Sequence, residues 1–127
     1  MVLVFGALLG FISVAFGAYA EHGLRESVSD EHFRFLMTAV RYNQLNAVVI
    51  STMGLGLLNG GKLSAIPALK WSSLLFVIGT VLFSFSIYVS VSFEIPWLVY
   101  VTPVGGVTIM AAWLLLLIAG LLATKNK

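Results

Sequence analysis

Residues 38–47 read TAVRYNQLNA, and this segment decides how the whole chain is interpreted. An arginine, two asparagines, a glutamine and a tyrosine stand inside a stretch that otherwise has the length and apolarity of a membrane-spanning helix. Polar side chains at such depth need hydrogen-bonding partners, because the hydrocarbon core offers none. The segment therefore predicts a helix that packs against other helices of a membrane bundle.

The composition of the chain indicates an integral membrane protein. Of its 127 residues, 60% are hydrophobic and 9% are charged, and the mean hydropathy is +1.04. Soluble domains carry roughly 25% charged residues. The net charge of +2 is small and the lysines are scattered, so no nucleic-acid partner is expected. The absence of cysteine excludes disulfides and thiolate catalysis.

Four apolar segments predict an all-α, four-transmembrane-helix bundle that forms a single membrane domain. A hydrocarbon core of ~30 Å needs about 20 helical residues. The expected spans are residues 2–20, 38–58, 71–92 and 103–124. Ala18-Tyr19-Ala20 resembles a signal-peptide cleavage site, but no lysine or arginine precedes the first apolar run, which favours a retained span.

The second helix is predicted to be longer than its span. Ser29 is a good N-cap and is followed by two acidic residues, while Asn59-Gly60-Gly61 ends the helix after Leu58. Its first two turns are therefore expected to form an interfacial extension. The last span is expected to start with Thr102 as N-cap and Pro103 at the first helical position, or else at Pro96 with a kink at Pro103.

Small residues recur where helices are expected to pack closely. Such positions let two backbones approach each other in a membrane, and a GxxxG pair can also mediate dimerisation. The helix-packing candidates are Gly6, Gly10, Ser13 and Gly17 on one face of the first helix, and Gly105 and Gly106 in the last.

Angular positions predict which side of the second helix faces the bundle. At ~100° per residue, one arc of this helix carries most of its polar side chains and should point inward. Phe33, Met37, Val40 and Ala47 lie opposite and are expected to face lipid, as does Gln44. The candidate polar cluster comprises Glu21, His22, Thr38, Arg41, Tyr42, Asn43 and Asn46.

Two charges near one membrane surface are expected to interact. Glu21 lies four residues after Gly17, and Arg41 is near the same surface. This predicts an ion pair between them, or a link through Tyr42 or Asn43; the alternative is two solvated charges. His22 could act as a proton relay or metal ligand, or as an interfacial anchor. Two histidines with scattered acids do not form a metal set, so neither a metal nor a cofactor is expected.

Three segments resemble a known family. GAYAEHGL at residues 17–24, TAVRY at 38–42 and TPVGG at 102–106 are similar to the small bacterial inner-membrane proteins of domain-of-unknown-function family 423, related to eukaryotic transmembrane protein 256. The resemblance implies a four-helix protein of the bacterial inner membrane without established activity. Against the family pattern, Glu21 replaces alanine, Arg41 replaces glutamine and Asn46 replaces histidine.

The leading functional hypothesis is a non-enzymatic structural, assembly or accessory protein that acts through helix packing. It contacts the lipid bilayer, and it could work as a homo-oligomer or in a larger membrane complex. The alternative is an oligomeric small transporter or channel lined by the polar residues of the second helix. An enzyme or a quinone-associated redox subunit ranks third.

The lysines predict the orientation of the chain. With four spans, all four lysines fall on the side of the two termini, against Arg25 and Arg34 on the other side and Arg41 just inside the membrane. Positive charge favours the cytoplasmic side, so both termini are expected in the cytoplasm.

Overall fold

The fold of the chain is all-α, as predicted. The structure is a computed structural model that describes residues 1–126, of which no described residue lies in a strand. Two π-helical turns follow α1 and α4, at Ala20–Leu24 and Val81–Phe85, and a 3₁₀ helix, Pro96–Val101, leads into α6. The helices are α1 Val2–Tyr19, α2 Asp30–Leu58, α3 Gly61–Ser64, α4 Pro67–Thr80, α5 Ser86–Ser92 and α6 Thr102–Lys125.

Three helical runs are long and apolar enough to cross a membrane. They are Val2–Leu24, Pro67–Ser92 (the α4–α5 helix) and Pro96–Lys125. The helix α2 has 29 residues but is not among them. Its polar residues between positions 41 and 46 lower its hydropathy, so length and composition alone support three spans within residues 1–126.

The ends of the helices test the predicted boundaries. The start of α2 is confirmed, because the Ser29 hydroxyl accepts a hydrogen bond from the His32 N–H at 3.1 Å. The first run continues to Leu24, since a π turn carries it beyond residue 20. The third run starts at Pro67, where proline suits the first turn of a helix, and not at Trp71.

The predicted N-cap of the last helix is wrong. Thr102 is already helical, and Val101 occupies the N-cap position. The helical path begins at Pro96, as in the alternative prediction, but as a 3₁₀ helix that changes to α-helix at Thr102. Proline is compatible with both places because each lies in a first turn, where its missing N–H is not needed.

The long helices form two antiparallel pairs. The first pair is α1 with α2, and Gly6 of α1 lies directly against Ser51 near the far end of α2. The second pair is the α4–α5 helix with α6, where the Ser72 hydroxyl donates to the Ala112 carbonyl at 2.7 Å. The helix α2 joins the pairs because its other side contacts the α4–α5 helix.

Glycines set the closest approaches between helices. A Cβ atom on Gly54 would lie 2.5 Å from the backbone nitrogen of Leu3, and one on Gly105 would lie 2.8 Å from the Cα of Phe83. A Cβ on Gly79 would lie 2.7 Å from the Ile109 side chain. These contacts leave no room for a side chain, so the glycines determine how closely the two helices of each pair approach.

The remaining predicted packing positions lie at helix contacts of differing tightness. Ser13 is buried and donates to the Gly10 carbonyl at 2.6 Å. A Cβ on Gly17 would meet Val40 at 3.3 Å, one on Gly10 would meet Ala47 at 3.7 Å, and one on Gly106 would meet the Phe83 ring at 3.8 Å. The first-helix strip therefore lies along α2.

Candidate functional site: buried polar contacts of the second helix

Two asparagines of α2 are completely buried against the α4–α5 helix. The Asn46 side-chain N–H₂ donates to the Thr80 hydroxyl oxygen at 3.0 Å. The Thr80 hydroxyl in turn donates to the Phe76 carbonyl at 2.6 Å, so its oxygen is free to accept. The Asn43 N–H₂ donates to the Tyr88 hydroxyl oxygen, also at 3.0 Å. Both amides therefore bond across the helix interface to side chains of the α4–α5 helix.

A third contact uses the backbone of α2. The Ser84 hydroxyl, which lies in the π turn of the α4–α5 helix, donates to the Ala39 carbonyl at 2.7 Å. Ser84 is fully buried, and the ring of Tyr88 stacks on Phe16 of α1 with 3.9 Å between the ring centroids. Three hydrogen bonds thus join α2 to the α4–α5 helix, and the Tyr88 ring adds an aromatic contact with α1.

The amides retain unused hydrogen-bonding capacity. The side-chain carbonyl oxygens of Asn43 and Asn46 are buried and have no partner among residues 1–126. An asparagine carbonyl can accept two hydrogen bonds, and a buried oxygen without any is costly. The site therefore combines strong cross-helix donors with acceptors that remain unsatisfied.

The inward face of α2 differs from the predicted one. Val40 and Ala47 are buried, whereas they were expected to face lipid. Tyr42 was expected inside but is 41% exposed, with its ring against Phe83 at 5.0 Å between centroids. The buried arc is turned by about 60° from the predicted one, at ~100° per residue. The cause is that α2 also packs on α1, and Val40 faces Gly17 there.

The other polar residues of α2 lie outside the buried arc. Thr38 is half-buried, and its hydroxyl donates to the Arg34 carbonyl of its own helix at 3.0 Å. Arg41 and Gln44 are exposed on the surface that would face lipid or headgroups. The predicted cluster is thus divided: Asn43 and Asn46 form the buried contacts, while Thr38, Tyr42 and Arg41 do not join them.

The predicted ion pair between Glu21 and Arg41 is not formed. The Arg25 guanidinium donates to the Glu21 carboxylate at 3.0 Å, one helical turn away. Ala20 and Leu24 occupy the buried side of this π turn, so Glu21 and His22 point away from the bundle. Within residues 1–126, no three histidine or carboxylate side chains come close enough to hold a metal ion.

Two cavities lie at opposite ends of the bundle. One of about 590 Å³ opens near the α1–α2 and α5–α6 connections and is lined by His32, Phe35 and Glu94 among others. The second, of about 400 Å³, opens near the α2–α4 connection. Thr38 lines the first cavity, but neither cavity is lined by Asn43 or Asn46. The buried amides therefore contact protein and not these openings.

The partners of the asparagines were not predicted from the sequence. Thr80, Ser84 and Tyr88 recur at intervals of four residues, which places them on one face of a helix. That spacing was a usable signal for a polar face opposite α2. Serines and threonines in membrane helices also bond to their own backbone, as Ser73 does with Lys70, so the spacing alone does not identify cross-helix contacts.

Comparison with known proteins identifies the family. The family model described as "Protein of unknown function (DUF423)" matches residues 16–106. The chain belongs to this family. It is 34% identical over 125 residues to the UPF0382 inner membrane protein YgdD of Escherichia coli K12, covering 98% of this chain and 92% of that protein. The expected family resemblance is thereby confirmed.

Relatives from other bacteria carry similar names. The UPF0382 membrane protein SH2409 of Staphylococcus haemolyticus is 34% identical over 119 residues, covering 92% of each chain. The UPF0382 membrane protein YwdK of Bacillus subtilis is 29% identical over 117 residues, covering 92% of this chain and 93% of its own. No solved structure matches the chain. This family member is accordingly a bacterial membrane protein.

Proposed function

We propose that α2 is a fourth membrane crossing, held by its buried amides. Its 29 residues extend about 43 Å at ~1.5 Å per residue, which exceeds a hydrocarbon core of ~30 Å. Arg41 is the only charged residue between Thr38 and Leu58. A helix packed lengthwise between two long apolar helices has to lie at their depth, and its first turns then form the interfacial extension.

The function that this arrangement supports best is that of a non-enzymatic structural, assembly or accessory protein of the membrane. The observation that carries it is the bonding of Asn43 and Asn46 to neighbouring helices. Polar groups that could have lined a pathway are used instead to hold the bundle together. The partner is another membrane protein or a further copy of the chain.

The outer surface suits contact with a partner inside the bilayer. One side of α6 exposes a continuous series of large apolar side chains, which include Val107, Met110, Leu114, Leu117 and Leu121. In a membrane such a surface faces lipid or another helix. Four lysines at the end with both termini favour a cytoplasmic location for that end.

Conductance measurements separate this function from the transporter or channel alternative. Purified protein in proteoliposomes should pass no ions or small polar solutes above the rate of empty vesicles. Native mass spectrometry after mild-detergent extraction should show the chain bound to another membrane protein or as a non-conducting oligomer. The proposal fails if a ring of copies conducts and Asn46→Leu changes the conductance, while the surface control Gln44→Leu does not.

A further inference from the structure

The cavity at the lysine end of the bundle has features of a lipid site. It is a groove of about 400 Å³ between α2 and α6 that opens near the α2–α4 connection. Met53, Leu69 and Ala119 form its buried floor, and the exposed Leu63 and Trp113 form its walls. We propose that this groove binds one acyl chain of an anionic phospholipid whose headgroup contacts Lys62 and Lys125.

The groove offers few hydrogen-bonding groups to a polar ligand. Its one hydroxyl belongs to Thr52, which already donates to the Val48 carbonyl of its own helix at 2.8 Å. The Trp113 indole N–H is a further donor, and the remaining lining residues are apolar or glycine. An apolar chain would therefore match nearly the whole lining of the groove.

The size of the groove favours a flexible chain over a helix. A helix about 10 Å wide occupies roughly 420 Å³ in a single turn of ~5.4 Å. The whole groove would thus accept only one turn, and the exposed side chains of Leu63 and Trp113 would obstruct its continuation. An acyl chain can enter between these side chains because it is narrow and bends.

Lysines lie where the phosphate of such a lipid would be. The Lys62 ammonium donates to the Asn126 carbonyl at 3.4 Å, which places it at the end of α6. Lys125 lies five residues beyond Gly120, about 7.5 Å along the same helix at ~1.5 Å per residue. Both cations are therefore just beyond the open end of the groove, at headgroup depth.

The charge of this end is not balanced by acids. Lys62, Lys70 and Lys125 lie at the end that holds the α2–α4 connection and the end of α6. All five acidic residues lie at the opposite end, in the first turn of α2 or in the connections that precede α2 and follow α5. A headgroup with net negative charge is thus the complementary ligand.

Two glycines in the groove allow a direct test. A Cβ atom added at Gly56 or at Gly120 would meet nothing within 4 Å, so Gly56→Leu and Gly120→Leu can fill the groove without displacing its walls. Ala7→Leu adds a comparable side chain at an exposed position on α1 and serves as the control. Thermal unfolding of all three variants should match that of the unmodified chain.

Native mass spectrometry with added lipid measures the binding. Phosphatidylglycerol and phosphatidylcholine with identical acyl chains are compared. We expect one retained lipid per chain and a roughly 10–30-fold preference for phosphatidylglycerol, the size expected for two lysines near a headgroup. Gly120→Leu should reduce retention of both lipids at least fivefold, about 1 kcal/mol, whereas Ala7→Leu should not.

The charge variants test the headgroup separately. Lys62→Gln combined with Lys125→Gln should abolish the preference while leaving the weaker phosphatidylcholine retention intact. Equal retention of the two lipids by the unmodified chain would overturn the proposal. Unchanged lipid retention in Gly120→Leu would also overturn it. So would a spectrum in which the bound mass lost on Gly120→Leu is that of a second copy of the chain and not that of a lipid.

Discussion

The side chain of Asn46 joins α2, a helix of comparatively low hydropathy, to the α4–α5 helix. Its N–H₂ group donates to Thr80, but its carbonyl oxygen has no partner among the described residues. Interhelical hydrogen bonds in membranes contribute about 0.6 kcal/mol on average and up to about 1.7. An unpartnered buried group costs about 1–3 kcal/mol. The two halves of the amide thus act in opposite directions.

This opposition predicts an asymmetric pair of substitutions. Thr80→Val removes the acceptor and leaves the whole Asn46 amide buried without a partner, so it should lower the free energy of unfolding by about 1–3 kcal/mol. Asn46→Leu removes the amide altogether, including its unsatisfied oxygen, and should cost less. Denaturation in mixed micelles with increasing SDS measures both changes.

The double variant provides the control for this pair. The Asn46→Leu variant has no amide that could lose its partner. Adding Thr80→Val to it should therefore lower the free energy of unfolding by about 1 kcal/mol less than Thr80→Val does alone. Additive losses would mean that the two side chains do not interact, and would contradict the bond between them.

Burial of the asparagines could be derived from the sequence, because their depth requires an inward orientation. The residues that surround them could not be derived in this way. Val40 and Ala47 are apolar and suit lipid as well as protein, so only the position of the α1 glycines distinguishes the two environments. Glu21 pairs with Arg25, which is only four residues away and so can reach it whatever the packing of α2.

At the scale of the helices, adjacent glycines of α6 have unequal roles. A Cβ on Gly105 would lie 2.8 Å from backbone atoms of Leu82 and Phe83, which cannot move without displacing the π turn. A Cβ on Gly106 would make ordinary contact with the Phe83 ring at 3.8 Å. The sequence marked both positions for close packing but could not rank them.

The difference in packing between Gly105 and Gly106 predicts different stabilities for their alanine variants. Gly105→Ala should lower the free energy of unfolding by about 1–3 kcal/mol through overpacking. Gly106→Ala is the matched control and should cause no loss, since alanine has the higher helix propensity. Unfolding in SDS-containing mixed micelles compares them, and equal destabilisation by the two variants would contradict the close contact between α6 and the π turn.

The π turn of the α4–α5 helix, Val81–Phe85, was not predicted. No proline or glycine pattern marks residues 81–85, where the wider turn occurs. In the folded chain this turn carries Ser84, whose hydroxyl bonds to α2, and packs against the backbone of α6. Its position follows from contacts with two neighbouring helices, which a local sequence pattern does not contain.

For the whole molecule, the sequence predicted the all-α class, the membrane environment and the limits of α2. These follow from long apolar runs and from a strong N-cap, both of which are local signals. The pairing of α1 with α2 and of the α4–α5 helix with α6 depends on which small residues meet across the bundle. That information becomes visible only in the folded structure.

The central claim is that α2 crosses the membrane, so that the chain has four spans. Because the sequence contains no cysteine, single cysteines can be introduced at Ser27, before α2, and at Ala65, after it. In intact spheroplasts, a membrane-impermeant maleimide should label Ser27→Cys, whereas Ala65→Cys should react only after permeabilisation. Labelling of both variants from the same side would contradict a crossing by α2.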